Sequence, residues 1–97
     1  MTEWTIKAHP HVLKDLDLLG TRELRIFYKK KQKIRGNPLR QKHLHGGLNC
    51  YREPIDDNIR IVYYVEDKTI WLLTVGPHKK AYKQYIKRLH SLKQKFE

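Results

Sequence analysis

Residues 59–82 read IRIVYYVEDKTIWLLTVGPHKKAY. Residues 59–66 and 69–75 are rich in β-branched and aromatic side chains and are split by Asp67-Lys68. They predict two strands joined by a tight turn. In the first, Ile59, Ile61, Tyr63 and Val65 fall on one face, and Arg60, Val62, Tyr64 and Glu66 on the other. Both faces are apolar at the centre, so both are expected to be covered. Gly76 ends the second strand, and His78, Lys79, Lys80 and Tyr82 follow at once. Side chains of these types hold phosphate, stabilise charge developing on phosphorus and move protons.

Outward from this stretch, residues 49–55 predict a third strand, separated from the next by Asp56-Asp57-Asn58. Connections this short make the three an antiparallel meander. Residues 79–95 read as a helix whose stripe of Ala81, Tyr82, Tyr85, Ile86, Leu89 and Leu92 is the natural cover for the second sheet face. Upstream, residues 3–8 alternate, with Trp4, Ile6 and Ala8 on one face, and predict a short strand. Pro10 suits the first position of a helix carrying Val12, Leu13, Leu16 and Leu19, which Gly20 ends. Thr21 caps a second helix with Leu24, Phe27, Tyr28 and Ile34, which stops before Gly36-Asn37-Pro38. Helices joined this tightly turn back on each other as an αα-hairpin. The expected fold is α/β of the α+β kind, in the order β-α-α-β-β-β-α, with a mainly antiparallel twisted sheet packed on a helical hairpin. It is a single domain over residues 1–97.

The 97 residues carry 21 Lys and Arg against 10 Asp and Glu, a formal charge of +11. The distribution matters more than the total. No acid lies between Glu23 and Glu53, or between Asp67 and Glu97. One-sign blocks of this kind attract polyanions, so nucleic acid or an acidic protein is the expected partner, with a merely solubilising surface as the plain alternative. A single cysteine, Cys50, excludes an internal disulfide and fits a reducing compartment. No apolar run approaches the roughly 20 residues that span a bilayer, and the N-terminus has no signal-peptide pattern. A cytoplasmic protein away from membranes is expected.

The close pairs His9-x-His11 and His43-x-His45 lack neighbouring carboxylates, so no metal is expected. Gly46-Gly47 lacks the Lys-Ser/Thr of a phosphate-binding loop and reads as a turn. Cys50 reads as a packed thiol. No cofactor is expected.

The segment LHGGLNCYREPIDDNIRIVYYVEDKTIWLLTVGPHKKAY resembles the RelE/ParE superfamily of bacterial toxins, and most of all the RelE-like mRNA interferases of type II toxin-antitoxin systems. The residues that carry the resemblance are Leu44-His45-Gly46, Tyr51-Arg52, Ile59-Arg60-Ile61-Val62-Tyr63, Val75-Gly76-Pro77-His78 and Tyr82, with Asn37-Pro38 upstream. The resemblance implies a toxin that cleaves mRNA, usually on the ribosome, and is held off by a cognate acidic antitoxin. Carried over by position, the family's strand arginine is Arg60 and its tyrosine is Tyr82. His78 stands at the Gly-x-Arg position. The basic pair of the preceding strand falls on Arg52 and Pro54, so one of its two cations is missing.

The residues themselves can support such a reaction without metal. The RNA 2′-OH serves as nucleophile, and the protein supplies a base, cations for the phosphorane and an acid for the leaving oxygen. Imidazole titrates near pH 6.5, and the neighbouring Lys79 and Lys80 disfavour its charged form, which leans His78 towards a base. Arg60 presents a planar fork to phosphate, and Arg52 is either a helper or a backbone anchor. Tyr82 stacks on a base or donates a proton, with Tyr85 as the fallback. Lys29, Lys30, Lys31, Lys33 and Arg35 on the second helix, with Lys79, Lys80 and Lys83, are expected to meet mRNA or ribosomal RNA. Each has a plain alternative. His78 caps a helix or sits idle at the surface, Arg60 pairs with Asp56, Asp57 or Glu53, and Tyr82 packs in the core. The competing functions are a ParE-like inhibitor of DNA gyrase and a non-catalytic RNA-binding module.

Overall fold

The computed structural model describes the backbone of residues 4–40, 42–43 and 49–96, with side chains at all of these but 40, 42, 43, 78, 80, 82, 84 and 92–96. The Leu44-His45-Gly46 segment and the Gly46-Gly47 turn lie outside the described residues. Five strands form one mixed sheet: β1 (Thr5–Ala8), β2 (Lys42–His43), β3 (Cys50–Pro54), β4 (Ile59–Glu66) and β5 (Thr69–Pro77), in the spatial order β1-β5-β4-β3-β2. The pair β1–β5 is parallel and the other three are antiparallel. The α-helices are α1 (Val12–Asp17), α2 (Thr21–Gly36) and α3 (His78–Phe96), and a 3-10 turn spans Pro38–Arg40.

The period-two reading of β4 holds. Ile61, Tyr63 and Val65 join Val12, Phe27, Ile34, Ile70 and Leu72 in the core under α1 and α2. Val62 and Tyr64 join Cys50, Leu73, Ala81, Tyr85 and Leu89 in a second core under α3. The helical hairpin and the terminal helix therefore cover opposite faces of one sheet. Among the described residues, no helix is long and apolar enough to cross a membrane.

Several boundaries differ from expectation. The sheet gains β2, too short to show a period, beside β3. Pro10 and His11 form a turn, so α1 begins at Val12. Gly20, not Thr21, is the N-cap of α2. Glu23 reaches back to accept the Gly20 backbone N–H at 3.2 Å, the half of a capping box that needs no side chain at the N-cap.

A bulge interrupts the β4–β5 ladder, where Val62 opposes Thr74 but Tyr63 opposes Leu72, leaving Leu73 as the extra residue. Beside it, β1 ends at Ala8, opposite Leu72, so the outer edge of β5 has no strand partner beyond that point. A buried ion pair closes the gap. Asp15 of α1 accepts the Val75 backbone N–H at 3.1 Å, and Arg88 of α3 donates to the Leu73 carbonyl at 2.8 Å. The two side chains meet at 2.5 and 3.2 Å. Asp15 and Arg88 are 6% and 9% exposed. This clasp satisfies backbone groups that an open edge would leave bare, and it joins α1 to α3 around the rim of the sheet.

Candidate functional site

Arg60 lies on β4 with Pro54 opposite on β3 and Gly76 opposite on β5. Arg52 stands opposite Val62, two positions further along. Directly paired residues share a face, so Arg52 and Arg60 both lie on the α3 side of the sheet. Gly76 has no side chain, and a Cβ placed there would meet nothing within 4 Å among the described residues. That leaves open space beside Arg60. Two residues later the chain turns into α3 at His78. The topology thus gathers Arg52, Arg60, Gly76 and the start of α3 at one end of one face.

The β3–β4 loop sets the posture of Arg60. Asp56 Oδ1 accepts the backbone N–H groups of Asn58 and Ile59, each at 2.8 Å. These bonds, that of Ile59 foremost, hold the Asp56 carboxyl below its usual range, with Arg22 and Arg60 adding smaller pulls. The Arg60 guanidinium donates to the backbone carbonyl of Asp56 and, at 3.2 Å, to that of Ile59. The expected alternative of a carboxylate partner for Arg60 is not what the described contacts contain. Asp56 spends its carboxylate on its own loop, and Glu53 sits on the opposite face.

The side chains of His78, Lys80 and Tyr82 lie outside the described residues. The backbone makes His78 the first residue of α3 and puts Tyr82 just after Ala81, which packs on the sheet. Lys79 and Lys83 are exposed. Tyr85 is buried in the α3 core, so the fallback role for it is withdrawn: it packs against the sheet rather than facing a ligand.

The α2 cations occupy the other face, away from Arg52 and Arg60, and they divide. Lys30 and Lys33 bind the same oxygen of Glu53, at 3.0 and 3.2 Å. Glu53 is 1% exposed, and its second oxygen has no partner among the described residues. The two lysines therefore answer a buried charge from β3, a structural task that a run of Lys in sequence conceals. Arg35 donates from Nε to the Trp4 carbonyl at 3.3 Å, Lys31 is half-buried and Lys29 is exposed.

Nearby, Tyr63 donates to the Pro38 carbonyl at 2.6 Å. Burial first, then the charge of Glu53 and the neighbouring Tyr51, pushes its phenol above the usual value. It is a fixed donor at neutral pH and no proton shuttle. Cys50 is buried in the α3 core, as a packed thiol should be. Among the described residues, no three His, Cys, Asp or Glu side chains converge to hold a metal.

No family model matches the sequence, and no curated protein sequence matches it. Solved structures do. A double Arg-to-Ala variant of the Escherichia coli toxin RelE in the free state superposes with a TM-score of 0.77 at 23% identity, over 89% of this chain and 97% of that one. The archaeal RelE–RelB complex from Pyrococcus horikoshii gives a TM-score of 0.65 at 28% identity, over 84% and 100%. The intact E. coli RelBE toxin–antitoxin complex gives 0.68 at 25% identity, over 76% and 95%. The chain thus has the fold of the RelE-like toxins.

Proposed function

We propose that this protein is the toxin of a type II toxin-antitoxin pair and cleaves mRNA on the ribosome without a metal ion. The observation that carries the reading is the gathering of Arg52 and Arg60 on the α3 face, beside the open space at Gly76 and the start of α3. A phosphodiester lying there meets two guanidinium groups, with His78 and Tyr82 within the first turns of the adjoining helix.

In the reaction, the 2′-oxygen attacks phosphorus as His78 takes its proton. The P–O5′ bond breaks, and the 5′-oxygen receives a proton from Tyr82. Arg60, helped by Arg52, stabilises the added charge on the non-bridging oxygens. Such a group commonly contributes about 3–4 kcal/mol in the transition state. Arg60 must exchange a loop carbonyl for phosphate oxygen, which suits a charge-assisted bond. The products are a 2′,3′-cyclic phosphate and a 5′-hydroxyl. The solved neighbours include toxin–antitoxin complexes, which supports a cognate antitoxin. Acidic segments on it would match the blocks of Lys and Arg.

One observation favours a second reading, a non-catalytic RNA-binding module. Arg60 is bonded to the main chain, and opposite it stands Pro54, where the resemblance leads one to expect a cation. End-group analysis of mRNA from a purified translation system separates the two. Fragments with cyclic-phosphate 3′ ends are expected. Fragments with 5′-phosphate ends would exclude the 2′-OH route, and intact message would leave RNA binding as the function.

A further inference from the structure

A second basic pocket lies away from Arg52 and Arg60. It is a shallow cavity of about 230 Å³ between the β1–α1 junction and the outer side of α3, lined by His9, His11, Lys87, Arg88 and Ser91. Among the described residues that line it, every side chain can donate a hydrogen bond and none is an acid. Lys87 and Ser91 are one helical turn apart and so stand side by side on α3. Measured along that helix from His78, Lys87 is about 13 Å away.

The histidine wall is built rather than incidental. His9 is 4% exposed and continues the sheet, its N–H bonding the Leu72 carbonyl at 2.8 Å. Its carbonyl accepts the Val12 N–H at 2.9 Å, and its Nδ1 accepts the His11 N–H at 3.1 Å. With Nδ1 an acceptor, the neutral ring carries its proton on Nε2 and is a donor there. The His11 ring meets it edge to face at 5.0 Å. Across the pocket, the clasp to Asp15 fixes Arg88. That carboxylate answers the charge of Arg88, so the net positive charge of the pocket comes from Lys87.

We infer that this pocket binds phosphate: a tetrahedral oxyanion held by Lys87, Ser91 and His11, whose backbone and ring are fixed by His9, at a site separate from Arg52 and Arg60. The fixed positive charge of Lys87 beside the donors Ser91 and His11 suits a phosphate group better than an uncharged ligand. The phosphate can belong to an RNA backbone or be free in solution. The inference does not rest on RNA cleavage.

The test uses the full chain labelled with ¹⁵N in its histidines. Inorganic phosphate is added at constant ionic strength against a chloride control. Shifts of the His9 and His11 ring signals are expected. In the Lys87→Ala/Ser91→Ala variant the affinity read from them should fall about tenfold or more, as for a lost bond between charged groups. Both residues are exposed, so unfolding of the variant should match that of the parent.

A single-stranded oligoribonucleotide forms the second arm. If RNA supplies the phosphate, the slope of log K against log salt should shrink by about 0.7 in the variant. An unchanged slope together with phosphate-induced shifts assigns the pocket to a free phosphate. No shift at His9 and His11, equal shifts in the variant, or a stronger response to a polyglutamate peptide would overturn the inference. His78 reports the catalytic end separately, so failure of one site is not confused with failure of the other.

Discussion

Replacing Asp15 with alanine should be among the most damaging single changes in this protein. Asp15 accepts from Arg88 through both oxygens and from the Val75 backbone N–H through one. The alanine variant leaves a buried guanidinium without its counter-charge and a buried N–H without an acceptor. Breaking a buried pair from one side costs about 3–5 kcal/mol. A domain of this size has about 5–15 kcal/mol to lose, and each kcal/mol shifts its Tm by roughly 4–8 °C. A fall of at least about 12 °C is therefore expected, with a matching loss in urea midpoint at unchanged m-value. Asp15→Asn keeps an acceptor for Val75 while removing the charge, so it should lie between parent and alanine variant. Amide exchange should rise at Val75 and along the half of α3 that carries Arg88, because the clasp is what ties that helix to α1. A loss below about 1 kcal/mol in Asp15→Ala would refute the reasoning and mean that water already satisfies this edge.

Three further outcomes follow from the packing. Lys30→Ala and Lys33→Ala should each be mild, since either lysine can answer Glu53. The double variant should exceed their sum by roughly 0.5–3 kcal/mol in denaturant unfolding, whereas simple additivity would mean that the two act independently. The Tyr63 phenol is raised on folding, so its contribution is fully present below pH 10.0 and is lost as pH rises above that value, where the unfolded chain ionises first. Tyr63→Phe should cost about 1–3 kcal/mol at neutral pH, from the unsatisfied Pro38 carbonyl, and should flatten that alkaline decline in thermal melts. Gly76→Ala should leave stability nearly unchanged, because among the described residues a Cβ there meets no atom within 4 Å, yet reduce cleavage about 100-fold by intruding beside Arg60. Full activity in that folded variant would put the reaction elsewhere.

The fold was largely legible because β4 alternates between two apolar sets that belong to different cores, and α3 supplies the cover which that alternation demands. The bulge at Leu73 was not legible, since two adjacent leucines in an apolar run do not reveal which one is extra. Its consequence was hidden too. Asp15 and Arg88 are 73 residues apart and look like ordinary surface charges of two amphipathic helices. The cationic run on α2 has a second task that the sequence conceals. Composition counts Lys30 and Lys33 as part of an outward patch, while the sole acid of β3, Glu53, draws both onto the sheet. At the site, strand parity put Arg60 on the face of Val62 and Tyr64, but Arg52 joins that face only through the β3–β4 register, which the sequence does not reveal. The capping of the β3–β4 loop by Arg60 depends on how Asp56 folds its own carboxylate inward, which no spacing announces.

The most direct test of the central claim maps cleavage sites by primer extension on a reporter mRNA in a purified translation system. The parent, Arg60→Ala and His78→Ala are compared with and without ribosomes. The account predicts discrete cuts that require ribosomes, a loss of about 100- to 1000-fold in Arg60→Ala, and a comparable loss in His78→Ala. Intact message with the folded parent protein, or undiminished cutting in Arg60→Ala, would contradict it.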